Sequence, residues 1–236
     1  AVERMVFSST CASYGEPTPD LIPIPETCPQ RPINAYGWSK LHCERELMDY
    51  ATAATRRGRK FSFAALRYFN VAGSDRTGLI GEDHTPETHI IPVCIQTIMG
   101  SRAHFGMPAN QKGLTIFGTD YPTPDGTCVR DYVHVEDLID AHVSVLAALR
   151  PGEQRAYNLG IGRGYSVRQI IDSVKRVTGK ALDAAEGPRR AGDPAELFAK
   201  PDKIRSEIGW TAKVTDLDEI VRSAWNWYQA NPRGYR

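Results

Sequence analysis

The stretch FSFAALRYF, at residues 61–69, is rich in β-forming and apolar side chains, which is the pattern of a strand buried inside a sheet. An earlier run, MVFSS at residues 5–9, has the same character and predicts a second buried strand. Between the two runs, apolar residues recur at helical spacing as far as Arg57-Gly58, so we expect one helix with a single buried stripe. The residues of that stripe are Leu41, Leu47, Met48, Ala51 and Ala54.

Strands and helices continue to alternate along the rest of the chain, which favours an α/β fold. Further strands are expected at residues 114–117 and 156–159, and residues 133–135 are expected to lead into a helix. Further helices are expected at residues 90–100, 136–149, 166–179 and 217–229. In the helix at 136–149, the side chains expected to face inward are Leu138, Ile139, Val143 and Leu146.

Composition and charge limit the classes of function. Hydrophobic residues make up 41% of the 236 residues and charged residues 24%, which is typical of a globular protein. A formal net charge of +1 provides no general attraction to nucleic acid or to acidic membranes. No apolar run approaches the ~20 residues that span a bilayer, and the first residues show no signal-peptide pattern. We therefore expect neither a nucleic-acid partner nor a membrane partner.

The cysteines, histidines and glycines form no recognised metal, disulfide or dinucleotide pattern. Five cysteines lie far apart without a CxxC pair, which predicts free thiols and a cytoplasmic location. Six histidines lack HExxH or a related spacing, so we expect no metal site. The segment GIGRG at residues 160–164 lies between a predicted strand and a predicted helix. Its spacing is not the GxGxxG of a dinucleotide-binding loop.

The stretch AYGWSK at residues 35–40 places Tyr36 and Lys40 four positions apart, on the same face of the predicted helix. A neighbouring ammonium group favours the phenolate form of a tyrosine, which allows that tyrosine to act as a general base. Thr10 follows the first predicted strand, at the edge where ligands bind in open α/β sheets. Each feature alone also occurs on a solvated helix face or in a simple turn, so other segments must decide.

Six segments occur in a characteristic order: FSSTCASYG, AYGWSK, LRYFNVAG, GTDYPTPDGTCVRDYVHVEDL, YNLGIG and PRRAGD. In this order they resemble the UDP-glucose 4-epimerases of the extended short-chain dehydrogenase/reductase family, over nearly the whole chain. The resemblance implies NAD as the cofactor and UDP-glucose and UDP-galactose as the substrates. It also implies epimerisation at C4 through a 4-keto sugar, and a homodimer for the full-length protein.

The resemblance further implies an architecture in two parts. Residues 1–71 would form the C-terminal part of a Rossmann-like doubly wound sheet, and residues 72–236 a smaller α/β domain that binds the UDP-sugar, with some segments packing back on the first part. The GxxGxxG loop that opens the NAD site of the family does not occur in the sequence. Roughly 100 further residues are expected ahead of Ala1. For the chain alone we expect an exposed apolar sheet edge and little or no NAD binding.

The resemblance assigns roles residue by residue. The implied catalytic residues are Tyr36, Lys40 and Thr10. The implied cofactor-binding residues are Ser8, Tyr36, Lys40, Tyr68 and Phe69. The implied substrate-binding residues are Thr10, Asn70, His89, Phe117, Arg130, Tyr132, Arg190, Asp193 and Leu197.

The resemblance implies that Arg130 and Arg190 hold the diphosphate of UDP, and the physics agrees because a guanidinium fork fits phosphate oxygens. The resemblance also places Leu197 at the 2-position of the sugar, where its intermediate size is expected to leave some room for an N-acetyl group.

Alternatives to the epimerase remain open. A nucleotide-sugar 4,6-dehydratase of the same superfamily needs an acidic pair directly after the strand-end threonine. Here Cys11 and Ala12 follow Thr10, which favours an epimerase. Another nucleotide-sugar epimerase, or a non-catalytic fragment that binds UDP-sugars, would carry most of the same motifs.

Overall fold

The computed structural model describes residues 2–103 and 113–235. The strands in this part of the chain are β1 (Arg4–Thr10), β2 (Ser62–Tyr68), β3 (Asn70–Ala72), β4 (Leu114–Phe117), β5 (Val129–Arg130), β6 (Tyr132–His134), β7 (Gln154–Leu159), β8 (Tyr165–Ser166), β9 (Ala184–Gly187) and β10 (Glu196–Leu197). The helices are α1 (Ala35–Arg56), α2 (Ile90–Met99), α3 (Val135–Ala148), α4 (Val167–Thr178), α5 (Asp202–Ile208) and α6 (Leu217–Ala230). Two short 3-10 helices, Cys11–Tyr14 and Pro19–Leu21, follow β1.

A three-stranded parallel sheet in the order β1-β2-β7 forms one core of the molecule. Leu66 of β2 lies between Ser8 of β1 and Tyr157 of β7. Because alternate side chains of a strand point to opposite faces, each face of this sheet has its own helix. Helix α1 packs on the face of Phe63, and α3 packs on the face of Ala64 and Leu66. The predicted α/β fold is confirmed.

The other strands form small sheets beside a second core. Strands β3 and β6 are parallel, as are β4 and β9, and β10-β5-β8 is a mixed sheet. The second core joins α2, α4 and α6, with Ile95, Ile170 and Trp227 fully buried. Strand β7 belongs to the later part of the chain yet pairs with β2. The domain boundary between residues 71 and 72 stays a prediction.

The buried face of α3 differs from the expected one. Leu138 is buried as expected, but Ile139, Val143 and Leu146 are between 42% and 62% exposed, so the expectation for these three was wrong. Helix α3 carries two adjacent apolar stripes, and the sheet contacts the one that contains Leu138 and Val145. The residues 139, 143 and 146 therefore form an exposed apolar stripe.

Helix α1 follows its predicted stripe with one exception. Leu41, Ala51 and Ala54 are buried and Leu47 is partly buried, whereas Met48 is exposed. The prediction for Met48 was wrong, and the buried stripe of α1 includes the charged Glu44, which the apolar pattern did not indicate.

Two sequence expectations concern the cysteines and membrane spans. All five cysteines are free, and only Cys43 is exposed, so the expected free thiols are confirmed. Within residues 2–103 and 113–235, no helix combines the length and the apolar character needed to cross a membrane.

Candidate active site

A cleft of about 1060 Å³ opens where parallel strands end. Thr10 and Tyr68 are the last residues of β1 and β2, so the cleft lies at the edge where ligands bind in open α/β sheets. Many of the predicted site residues line this one cleft: Thr10, Tyr36, Tyr68, Phe69, Asn70, His89 and Tyr132.

Tyr36 reaches the cleft from the first turn of α1. The side chain of Asn34 caps this helix by accepting a hydrogen bond from the backbone N–H of Gly37 at 2.8 Å. A side chain at position 37 would collide with the backbone, because an added Cβ on Gly37 would lie 2.5 Å from the carbonyl oxygen of Ala12. The glycine in AYGWSK therefore lets the first turn of α1 approach the segment after β1, and this approach brings Tyr36 to the cleft.

Lys40 lies one turn further along α1, beside the ring of Tyr36. Its Nζ donates a hydrogen bond to the carbonyl oxygen of Ser8 at 3.0 Å. The same Nζ lies 5.8 Å from the centroid of the Tyr36 ring and 5.3 Å from that of Phe7. A backbone acceptor thus holds the ammonium group next to the phenol, as a tyrosine general base requires.

The hydroxyl group of Thr10 caps a local helix and can also bind a ligand. Its Oγ1 accepts a hydrogen bond from the N–H of Ala12 at 3.1 Å and so caps the 3-10 helix that begins at Cys11. Because a hydroxyl that accepts one bond still has its own proton, Thr10 retains a donor for a ligand in the cleft. The turn-forming role and the ligand-binding role are therefore compatible.

Ser8 is bound by a histidine that the sequence motifs did not single out. Its Oγ lies 2.9 Å from Nε2 of His142, whose Nδ1 lies 2.8 Å from the carbonyl oxygen of Leu138. Since a carbonyl can only accept, Nδ1 carries a proton, and in the neutral ring Nε2 accepts the hydroxyl proton of Ser8. No motif signals this contact, because 134 positions separate Ser8 from His142.

A buried ion pair connects helix α1 to strand β2 near the ends of the strands. Arg67 of β2 and Glu44 of α1 are 2.6 Å apart, with side chains 9% and 3% exposed. Ser9 donates a hydrogen bond to Glu44, and Tyr14 accepts one from Arg67 at 3.0 Å. Burial raises the pKa of Glu44, but the hydrogen bonds and charge of Arg67 outweigh that effect, so the pKa of Glu44 lies below its usual value. This network fixes α1 to β1 and β2.

A second group of predicted site residues gathers on β4, β5 and the segment before β10. The guanidinium carbon of Arg190 lies 3.9 Å from the centroid of the Phe117 ring. Arg130 forms an ion pair with Asp193, and its Nη1 donates to the carbonyl oxygen of Val129 at 2.7 Å. The residues expected to hold the uracil, ribose and diphosphate of UDP thus occur together in stacked or paired arrangements.

Leu197 lies on β10, opposite Arg130 in the register of β10 and β5. It is buried in a hydrophobic cluster with Cys11 and Phe69, which both line the cleft. Its role beside the sugar stays a prediction.

The glycine-rich segment at residues 160–164 closes around a carboxylate. Asp131 accepts hydrogen bonds from the backbone N–H groups of Ile161 at 2.8 Å and Gly162 at 3.1 Å. A Cβ at Gly160 would lie 2.3 Å from an oxygen of Asp131, which explains the glycine. Burial raises the pKa of Asp131 to about 6, although these N–H groups act in the opposite direction. The segment binds the carboxylate of Asp131 in place of a dinucleotide phosphate.

His89 stands at the rim of the cleft between two carboxylates. Its Nδ1 lies 2.6 Å from Glu82 and 3.3 Å from Glu87. Its hydrogen bonds to Glu82 and then to Glu87 raise the pKa of His89 to about 10.

The sequence of this chain matches a known protein family. The model of the NAD dependent epimerase/dehydratase family matches residues 1–160 of the chain. The chain belongs to this family. Among epimerase/dehydratase relatives, the UDP-glucose 4-epimerase of Lacticaseibacillus casei is 48% identical over 235 residues, which cover 99% of this chain and 66% of that protein.

Solved structures of epimerases give the same result. The UDP-glucose 4-epimerase of Bifidobacterium longum, in complex with NAD+ and UDP, superposes with a TM-score of 0.88 at 36% identity. The match covers 99% of this chain and 66% of that one. The UDP-Glc/GlcNAc 4-epimerase of Campylobacter jejuni superposes with a TM-score of 0.74 at 40% identity, covering 97% and 65%. The chain therefore spans about two thirds of the length of its epimerase relatives.

The residues of this epimerase/dehydratase chain fit one end of NAD. Lys40 has three N–H donors and uses one on Ser8, so the others can reach ribose hydroxyls beside Tyr36. The pyrophosphate at the other end requires the backbone N–H groups of a glycine-rich loop at a helix start. The loop at residues 160–164 does not fit this role, because its N–H groups bind Asp131. Tyr36 and Lys40 would hold the nicotinamide ribose of NAD, as the resemblance implies.

Proposed function

We propose that this chain carries the catalytic base and the UDP-sugar site of a UDP-glucose 4-epimerase, which interconverts UDP-glucose and UDP-galactose. The observation that carries the proposal is the arrangement at the cleft. Tyr36 and Thr10 face the same cleft, and the ammonium of Lys40 is held beside Tyr36 by the carbonyl of Ser8. The epimerase names of the relatives support the same reaction.

Two residues of the cleft would act on the 4-hydroxyl of the sugar: one transfers its proton and the other binds its oxygen. Tyr36, with the ammonium group of Lys40 beside it, removes the proton from the 4-hydroxyl of the sugar and returns it after the sugar has turned over. Thr10 donates a hydrogen bond to the sugar oxygen at C4 and keeps that oxygen near Tyr36. NAD, when bound, supplies the redox step at C4.

The second group of residues would hold the nucleotide. Arg190 and Arg130 present guanidinium forks that fit the oxygens of a diphosphate. Asp193, which pairs with Arg130, can accept hydrogen bonds from ribose hydroxyls. Phe117, stacked on Arg190, offers an aromatic face to the uracil.

The reaction is tested with the protein that contains this chain, by incubation with UDP-galactose and NAD and identification of the product by NMR. The expected product is UDP-glucose. A 4-keto-6-deoxy sugar would identify the protein as a dehydratase. Binding of UDP-galactose without any product would indicate a non-catalytic UDP-sugar-binding fragment.

Arg190→Lys is expected to weaken UDP binding about tenfold, because lysine keeps the charge but loses both the planar fork and the stacking on Phe117. The dissociation constant can be measured by titration calorimetry with UDP. The matched control is Arg189→Lys, one position away, since Arg189 contacts Asp120 and Tyr121. Equal losses in both variants would contradict the assigned role of Arg190.

Leu197→Tyr is expected to lower kcat/KM for UDP-N-acetylglucosamine about tenfold and to affect UDP-glucose less, because a larger side chain would occupy the space of the acetyl group. The comparison requires both substrates with both forms of the enzyme. An unchanged preference in the variant would show that Leu197 does not border the sugar. The prediction is relevant because one relative is a UDP-Glc/GlcNAc 4-epimerase.

A further inference from the structure

Four side chains with metal-binding groups converge at the rim of the cleft, in the segment GEDHTPETH at residues 81–89. They are Glu82, His84, Glu87 and His89, and one ligand atom of each lies within 4.8 Å of the others. We propose that these four residues bind a divalent transition-metal ion of the Zn²⁺ type. The proposal goes beyond the epimerase reaction and does not depend on it.

The distances between the ligand atoms, from 2.6 to 3.8 Å, lie on both sides of those around a tetrahedral ion. Nδ1 of His84 lies 3.1 Å from Oε1 of Glu82 and 3.8 Å from Oε2 of Glu87, and Nδ1 of His89 lies 3.3 Å from Oε1 of Glu87. Bonds of about 2.0–2.2 Å around a tetrahedral Zn²⁺ place ligand atoms about 3.3–3.6 Å apart. The 2.6 Å contact between His89 and Glu82 must widen when an ion enters. The exposed ring of His89 has room for that movement.

Glu87 supplies an independent reason to expect a ligand. Its side chain is fully buried. One carboxylate oxygen, Oε1, accepts the backbone N–H groups of Thr88 and His89, both at 2.7 Å. The other, Oε2, has no hydrogen-bond partner and lies 3.8 Å from Nδ1 of His84. A buried carboxylate oxygen without a partner is unfavourable, and an ion bound between Glu87 and His84 would satisfy it.

The C-terminal region holds the segment in place. Tyr228 of α6 donates a hydrogen bond to the carbonyl oxygen of Glu82 at 2.9 Å. The backbone N–H of Tyr235 donates to Asp83 at 3.0 Å, and Gly81 approaches the ring of Trp227 closely enough to exclude a side chain. A metal site requires a rigid scaffold, and these contacts fix the backbone on the N-terminal side of the four ligands.

The donor set selects the class of ion. Two imidazole nitrogens and two carboxylate oxygens suit Zn²⁺, Co²⁺ or Ni²⁺, whereas Mg²⁺ and Ca²⁺ prefer sites made of oxygens alone. Histidine spacing did not reveal this set, because His84 and His89 are five positions apart. Their ring centroids come within 5.1 Å of each other as the loop folds back.

The test is titration calorimetry of the whole chain with ZnCl₂, supported by the visible absorption spectrum of the Co²⁺ form. We expect one ion per chain at this site, and we expect His84→Asn and Glu87→Gln each to weaken its binding at least tenfold. Cys43→Ser is the matched control, because Cys43 is the exposed thiol and the most obvious competing zinc ligand. Thermal unfolding of the metal-free variants will show whether they remain folded.

Three results would overturn the proposal. One is the absence of stoichiometric Zn²⁺ binding to the wild-type chain. Another is binding that His84→Asn and Glu87→Gln leave unchanged. The third is binding that disappears in Cys43→Ser, together with a thiolate charge-transfer band in the Co²⁺ spectrum, which would place the ion on the thiol.

Discussion

Tyr36→Phe is expected to lower kcat for the conversion of UDP-galactose to UDP-glucose by about 10²–10⁴-fold, because the variant lacks the hydroxyl that removes the proton at O4. The dissociation constant for UDP-galactose should change less than about threefold, since the nucleotide would be held by Arg130 and Arg190. Steady-state kinetics and titration calorimetry separate the two effects. A general base is thereby distinguished from a residue that only binds substrate.

The control for this variant lies on the same helix. Tyr50 of α1 is 52% exposed and Tyr36 is 53% exposed, and Tyr50 packs edge-on against Phe61 away from the cleft. Tyr50→Phe should therefore retain the activity of the wild type. If Tyr36→Phe also kept more than about a tenth of the wild-type activity, the proposed base would be wrong.

Arg67→Met is expected to lower the free energy of unfolding by about 3–5 kcal/mol, because it leaves the buried carboxylate of Glu44 without its charged partner. Urea unfolding measures the change. The comparison variant is Arg176→Met, which removes an exposed arginine from its ion pair with Asp218 and should cost less than about 1 kcal/mol. Similar losses in the two variants would contradict the importance assigned to burial.

The same ion pair predicts how stability depends on pH. The pKa of Glu44 in the folded chain lies below the usual value of 4.5, so its contribution is complete above about pH 4.5 and is lost as the pH falls through the folded-state pKa. The urea midpoint of the wild type should therefore decrease on acidification below pH 4.5. In Glu44→Leu/Arg67→Met this part of the decrease should be absent. An identical pH profile for both proteins would assign the acid sensitivity to other groups.

The longer strands and helices were predictable because local patterns determine them, whereas the short strands β3, β5, β8, β9 and β10 and helix α5 were not predicted. The runs at residues 5–9 and 61–69 are apolar enough to identify buried strands, and β1 and β2 occur there. The orientation of α3 was not predictable, because two apolar stripes lie side by side on it. The position of the sheet, which the sequence of α3 does not encode, selects the stripe with Leu138.

Some residues of the candidate site were also predictable from local sequence, and others were not. Tyr36 and Lys40 were identifiable because one helical turn brings them together. The contacts of Ser8 with His142 and of Glu44 with Arg67 join residues that are far apart in sequence and carry no motif. Long-range polar contacts of this kind depend on the packing of whole elements, so they emerge only from the three-dimensional structure.

The pairing of β2 with β7 has a consequence for the order of events during synthesis. Phe63 on β2 aligns with Gln154 on β7. The central strand β2 therefore cannot pair with β7 until β7 has been synthesised. At about 5–20 residues per second, the roughly ninety intervening residues take about 5–20 seconds to leave the ribosome. Helix α1 and the β1–β2 pair can form during that interval, but the other edge of β2 remains unpaired. Closure of this long loop, a contact of high sequence separation, costs conformational entropy, and we expect it to follow the formation of the local elements.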